Sequence, residues 1–79
     1  MRVRIEYYAV LREQRGLGEE EIELASGDAA TLYELLRARH QLKLGRENLK
    51  LAVNDEFAPW ERKLVDGDRL VFIPPVAGG

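Results

Sequence analysis

The sequence predicts an α+β fold, a mixed four- to five-stranded sheet with one main helix on one face. Three observations predict it. Apolar and polar residues alternate at the start of the chain, an amphipathic stretch follows near the middle, and Leu70-Val71-Phe72-Ile73 form an unbroken apolar run close to the end. Alternation with period two marks a strand with one buried face. A short continuous apolar run suits a central strand buried on both faces. The chain has 79 residues, one small domain that on folding buries only about 60% of its unfolded surface. A deep substrate cleft enclosed by protein is not expected at this size.

Val3, Ile5, Tyr7 and Ala9 alternate with Arg2, Arg4, Glu6 and Tyr8, which gives the first strand. Leu11 to Arg15 lead into Gly16-Leu17-Gly18, a turn signal. From Glu19 to Leu24, Ile22 and Leu24 alternate with Glu21 and Glu23, a second strand antiparallel to the first with the glutamates as a solvated edge. Ser26-Gly27-Asp28 breaks the pattern. Thr31-Leu32-Tyr33-Glu34 has the form of a capping box, with the Thr hydroxyl accepting from an orphan N–H. It opens a helix that places Leu32, Leu35 and Leu36 on one face and fades near His40; Tyr33 and Leu36 are core residues. Gly45 to Asn48 is a loop or short helical turn, and Leu49 to Val53 a third strand. Asn54-Asp55 is a tight turn because Asn tolerates positive φ, and Glu56-Phe57-Ala58 returns briefly before Pro59. Asp66-Gly67-Asp68 is a turn into the last strand, Arg69 to Ile73, and Pro74-Pro75 ends that strand because proline cannot donate to the ladder. The order is ββαβ(β)β. First and last strands lying side by side in the middle of the sheet run parallel, joined by the path through the helix. Residues 1–73 form the domain and 74–79 an extended tail.

Composition excludes several function classes. Hydrophobic residues are 46% and charged residues 33%, a globular balance, and 12 Lys+Arg against 14 Asp+Glu leave a net charge of −2, which lacks the basic excess of a nucleic-acid binder. Cysteine is absent, so there is no disulfide, thiolate metal site or cysteine nucleophile. The single histidine, His40, is expected to be a solvated residue near a helix end. No apolar run approaches the ~20 residues that span a bilayer, and the start lacks the apolar core of a signal peptide; no membrane partner is expected, and the expected compartment is the cytoplasm. Gly16 and Gly18 do not make a dinucleotide fingerprint, since Glu21 stands where a third glycine belongs, and no phosphate loop is present. The chain is expected to bind no cofactor of its own.

The most informative residues are the last six. With Gly at about 7% of residues, a Gly-Gly ending arises by chance roughly once in two hundred chains, and two terminal glycines bring no side chain to packing. Alone, the pair is equally compatible with a frayed end. Following a rigid strand and two prolines, it makes a tail that reaches about 20 Å when extended at ~3.3 Å per residue, slim enough at its tip for a narrow channel in another protein. The reactive group is then the α-carboxylate of Gly79. It is ionised at pH 7 and a poor electrophile, so it needs activation, for instance as an acyl-adenylate. Without an ATP motif in this chain, a partner enzyme has to use the ATP.

Element order and ending together resemble the β-grasp fold of ubiquitin-like proteins, and within it the small, sulfur-carrying subunits of molybdopterin synthase. The resemblance is carried by Tyr7-Tyr8-Ala9-Val10-Leu11-Arg12-Glu13, by Thr31 to Leu36, by Leu51-Ala52-Val53-Asn54 and above all by the run from Leu64 to Pro74-Pro75-Val76-Ala77-Gly78-Gly79. It implies that a ubiquitin-activating-type enzyme adenylates Gly79. A sulfur donor of the cysteine desulfurase or rhodanese type then converts it to a thiocarboxylate. The loaded tail enters the large synthase subunit and gives its sulfur to cyclic pyranopterin monophosphate. Two sulfurs per molybdopterin imply a heterotetramer, and the acid–base chemistry then belongs to the large subunit, this chain being a sulfur-donating rather than catalytic subunit. Related readings are a sulfur carrier for thiamine or tRNA thiolation, and a ubiquitin-like protein modifier; a plain interaction module is the bland alternative.

Docking residues follow from the predicted sheet. Leu70 and Phe72 face the helix, leaving Val71 and Ile73 on a face with no second helix to cover it. Tyr8 is expected to point the same way from the neighbouring strand, with Phe57 at the rim. An uncovered apolar patch marks an interface. The candidate partner-binding residues are therefore Tyr8, Phe57, Val71, Ile73, Pro74, Pro75, Val76, Ala77 and Gly78, with Gly79 as the reacting residue. Trp60 is expected to cap the core under its loop, and Arg12 and Arg69 are candidates for pairing with acidic groups of a partner.

Overall fold

The computed structural model describes residues 1–75. Its elements are β1 (Arg2–Tyr7), α1 (Ala9–Arg15), β2 (Glu19–Glu23), α2 (Ala29–His40), β3 (Lys50–Val53), β4 (Glu56–Phe57) and β5 (Arg69–Ile73), with a short 3₁₀ turn at Arg46–Asn48. The strands form one mixed sheet in the order β2-β1-β5-β3-β4. The first and last strands are central and parallel, in the register Ile5↔Leu70 and Tyr7↔Phe72. The other pairings are antiparallel.

Strand alternation puts Val3, Ile5 and Tyr7 on the same face as Leu70 and Phe72, and Leu51 and Val53 of β3 continue that face. These side chains form one buried cluster with Ala29, Leu32, Tyr33 and Leu36 of α2. Phe72 is the centre of an aromatic group, with Tyr33 edge-on at 4.9 Å and Trp60 stacked at 5.9 Å. Trp60 thus closes the core from its loop, as the sequence led us to expect. The β3–β4 hairpin turns at Asn54 and Asp55, both with positive φ, the geometry of a two-residue primed turn.

The structure corrects three readings of local structure. The first strand ends at Tyr7, and Ala9–Arg15 form a helix where a strand end and a lead-in to a turn were expected. A seven-residue helix that buries only Leu11 leaves no apolar periodicity to detect. The main helix starts three residues ahead of the expected capping box. Asp28 is its N-cap and accepts from the Thr31 N–H at 2.8 Å, while Glu34 instead accepts from Arg46 at 2.9 Å. Leu35 is exposed. Ala29, Leu32, Tyr33 and Leu36 make the buried stripe, and at 100° per residue Leu35 falls about 110° from its centre.

Asp68 is more than a turn residue. It is the one buried charged side chain among the described residues. Its carboxylate accepts from the Asn54 amide at 2.9 Å, the Arg62 guanidinium at 2.9 Å and the Val65 N–H at 2.8 Å, tying the β3–β4 turn, the 59–65 loop and the entry to β5 together. Burial pushes its pKa up, but the hydrogen bonds from Val65, Asn54 and Arg62 outweigh burial and hold it below the ordinary 3.8. The folded state therefore binds fewer protons here than the unfolded state. The stabilisation is complete at neutral pH and is lost as pH falls below 3.8 and on through the folded-state value. Asp68→Asn is expected to cost about 1–3 kcal/mol at pH 7 and to flatten the acid limb of the stability curve, read by urea unfolding from pH 7 to pH 3.

Candidate docking site at the base of the C-terminal tail

The site is built where β5 ends. Ile73 and Pro74 are half-buried and Pro75 is exposed. Val76, Ala77, Gly78 and Gly79 lie outside the described residues. Pro74 cannot extend the ladder, so the chain leaves the sheet from a central strand paired on both sides. Two open hollows flank this exit. The larger, about 970 Å³, lies between the tail base and Tyr8, Ala9, Val10, Arg12, Glu13 and Leu44. The smaller, about 460 Å³, lies between the tail base and Glu47, Asn48, Leu49 and Lys50.

The wall of the larger hollow is α1 together with its N-cap residue. Tyr8 follows β1 and is 51% exposed. It therefore sits beside Ile73 and Pro74 rather than on the sheet face with Val71, where the alternation of the first strand had placed it. The change of direction occurs at Ala9, which adopts φ 51, left-handed backbone that costs a non-glycine residue about 1–2 kcal/mol. Strain of this kind gathers at functional positions. Gly16 closes the helix with φ 83 and donates its N–H to the Arg12 carbonyl at 2.9 Å. A Cβ on Gly18 would lie 3.2 Å from the Arg12 guanidinium, so that glycine makes room for Arg12 against the loop.

The sheet face away from α2 is less open than expected. Val71 is only 8% exposed; on the same face it stands between Glu6 of β1 and Ala52 of β3, and the central position screens it without any helix. Phe57 is 74% exposed, pairs in register with Ala52, and has the Lys50 ammonium 5.6 Å from its ring centroid. Phe57 lines neither hollow, whereas Tyr8 and Ile73 share one. The structure thus brings Tyr8, Ile73, Pro74 and Pro75 together and leaves Phe57 and Val71 on an adjoining face. Arg12 and Lys50 border the tail base and take part in none of the ion pairs among the described residues. Arg69, by contrast, is engaged by Asp55 and Glu6.

Sequence reasoning missed Glu20. It is on β2, on the sheet face that carries Ile5, and accepts from Nε and Nη2 of Arg15 at 2.8 Å each and from the Tyr7 hydroxyl at 2.7 Å. The Arg15 hydrogen bonds outweigh burial and hold the Glu20 carboxyl below its ordinary pKa of 4.5. Burial, reinforced by the Glu20 carboxylate, pushes the Tyr7 hydroxyl well above its usual value. The only available signal was the Arg15–Glu20 spacing across a Gly-containing turn.

Among the described residues, no cluster of three or more His, Asp or Glu side chains is placed to hold a metal ion, and no helix is long and apolar enough to cross a membrane. The base of the tail thus combines an apolar hollow with Arg12 and Lys50, two cations without an ion pair among the described residues.

Comparison with known proteins identifies the family and the fold. The ThiS family model matches residues 5–79. The molybdopterin synthase sulfur carrier subunit of Mycobacterium tuberculosis is 34% identical over 82 residues, covering 100% of this chain and 99% of the relative. Among solved structures, a Pyrococcus furiosus chain assigned as molybdopterin converting factor subunit 1 superposes with a TM-score of 0.82 at 30% identity, covering 96% of this chain and 99% of that one. A chain from the complex of subunits 1 and 2 of the Helicobacter pylori molybdopterin-converting factor superposes with a TM-score of 0.70 at 25% identity, covering 100% of both. These neighbours share the ubiquitin-like β-grasp fold.

The strained turn gives a direct test of the wall. Ala9→Gly is expected to raise stability by about 0.5–1 kcal/mol, since relief of the left-handed penalty exceeds the added entropy of the unfolded chain. The check is the urea midpoint at constant m-value.

Proposed function

We propose, from the premise that this chain belongs to the ThiS family, that it is the sulfur-carrying small subunit of molybdopterin synthase. One observation carries the proposal. A sequence ending in Gly78-Gly79 leaves the central strand of a β-grasp sheet at Pro74, beside an apolar hollow lined by Tyr8 and Ile73.

The chemistry follows from the α-carboxylate of Gly79. As an ionised acid it resists attack. An adenylating partner of the ubiquitin-activating type joins it to the α-phosphate of ATP and releases pyrophosphate. A persulfide sulfur from a cysteine desulfurase or rhodanese-type donor then attacks the acyl carbon, and AMP departs with the C–O bond. Reductive cleavage of the S–S bond by a thiol leaves a thiocarboxylate. The loaded tail enters the large subunit, which provides the acid and base groups, and its sulfur passes to cyclic pyranopterin monophosphate. Water restores the carboxylate. Two sulfurs are required for each dithiolene, which favours a heterotetramer with two carriers on a large-subunit dimer.

This chain's own part is to bind and to orient. The apolar hollow supplies burial at the docking surface, worth about 25 cal/mol per Å² of apolar area, and Arg12 and Lys50 offer charges for acidic groups of the partner. The rigid strand and two prolines reduce the entropy lost when the tail is threaded. The glycines at the tip leave no Cβ to clash with a channel wall.

Incubation with ATP, an adenylating enzyme of this type and a sulfur source is expected to shift the intact mass by the replacement of one oxygen by sulfur. One residue appended after Gly79, or removal of Gly79, should abolish the shift while the domain stays folded. Loading that persists in either variant contradicts the proposal, and lysine-linked conjugates as the sole product would favour a protein modifier instead. Tyr8→Asp and Ile73→Asp are each expected to weaken large-subunit binding by about tenfold or more, measured by titration calorimetry.

A further inference from the structure

We infer that Glu20 is a positioning residue for the docking wall: it holds α1 in the place from which Tyr8, Val10 and Arg12 meet a partner. The inference rests on the proposed docking role of the tail base, but the clamp itself stands on geometry alone.

Little else keeps α1 in place. Seven residues are far fewer than the ~12–15 at which an isolated helix becomes even marginal in water. The N-cap residue Tyr8 provides no side-chain cap, and Leu11 is the only residue of α1 that is buried. Its first residue, Ala9, is in the left-handed region. Against these deficits stands Arg15 at the C-terminal end, whose fork is gripped by both Glu20 oxygens at 2.8 Å. A bidentate pair fixes direction as well as distance. The side chains are only 19% and 16% exposed, so solvent competes little for the contact.

The same Glu20 carboxylate also receives the Tyr7 hydroxyl, and the Tyr7 ring lies 6.3 Å from Phe72. Tyr7 immediately precedes Tyr8, and Phe72 immediately precedes Ile73. One carboxylate therefore links α1 directly to the end of β1 and, through the Tyr7 ring, to Phe72 near the end of β5. On the other side, the Gln14 side chain accepts from the Lys43 N–H at 2.9 Å, next to Leu44 in the hollow. Besides Leu11 in the core, two polar contacts pin the wall, of which Glu20 is the charged and less exposed one.

The test uses the full chain carrying Glu20→Gln, with Glu23→Gln, an exposed glutamate on the other face of β2, as control. Amide hydrogen exchange of Leu11 to Arg15 is expected to accelerate about tenfold or more while α2 and β3 are unchanged. Affinity for the large subunit of molybdopterin synthase is expected to fall by a similar factor, and Glu23→Gln to change neither. Arg15→Lys, which keeps the charge but loses the fork, should reproduce most of the effect. Uniform acceleration across the whole domain would reduce Glu20 to a purely structural role, and unchanged exchange in α1 or wild-type affinity in Glu20→Gln would overturn the inference. If the unaltered chain does not bind the large subunit, the functional reading fails, and the exchange measurement still decides the clamp.

Discussion

Everything in this small domain depends on the parallel pairing of β1 with β5. The two ends of the chain meet in the middle of the sheet, Ile5 beside Leu70 and Tyr7 beside Phe72, and all four side chains are almost completely removed from solvent. Parallel pairing requires a long crossover, and here nearly the whole chain is that crossover. Pro74 and Pro75 thereby follow directly from a strand that is paired on both sides.

Polar contacts organise the periphery around this apolar axis. Asp68 fastens three loops at the end of the sheet where β5 begins. Glu20 fastens α1 at the end where β5 stops. Each carboxylate is satisfied by several donors, and no buried side-chain nitrogen or oxygen among the described residues lacks a partner. That accounting matters because an unpartnered buried polar group costs about as much as a large part of a small domain's net stability. The exposed arginines Arg2 and Arg4 pair with glutamates of β2; such surface pairs contribute little each and serve mainly to keep an edge strand charged and solvated.

Most of the architecture was legible in the sequence because it is written in periodic patterns. The alternation in β1 and β2, the apolar run of β5, the Asn54-Asp55 turn and the end of β5 before Pro74 all follow from local spacing, and the parallel central pair follows from simple topology. What was not legible depends on contacts distant in sequence or on isolated residues. Helix α1 has a single inward side chain, so it carries no period. The choice of Asp28 over Thr31 as N-cap turned on three-dimensional placement, with both residue types acceptable. Leu35 matched the helical spacing but missed the stripe set by Ala29, Tyr33 and Leu36. The candidate site shows the same division: Ile73 and the prolines could be placed from sequence, whereas the position of Tyr8 required knowledge of the turn at Ala9, and Glu20 was hidden within a run of glutamates.

The β1–β5 axis also fixes where the least mobile backbone must be. Native-state amide exchange, followed residue by residue by NMR as denaturant is added, tests this most directly. The account predicts that Ile5, Leu70 and Phe72 exchange only through global unfolding, with free energies equal to that of the whole domain. Exchange of the β5 amides through a smaller local opening, while α2 and β3 remain protected, would show that the tail springs from a mobile strand and would contradict the account.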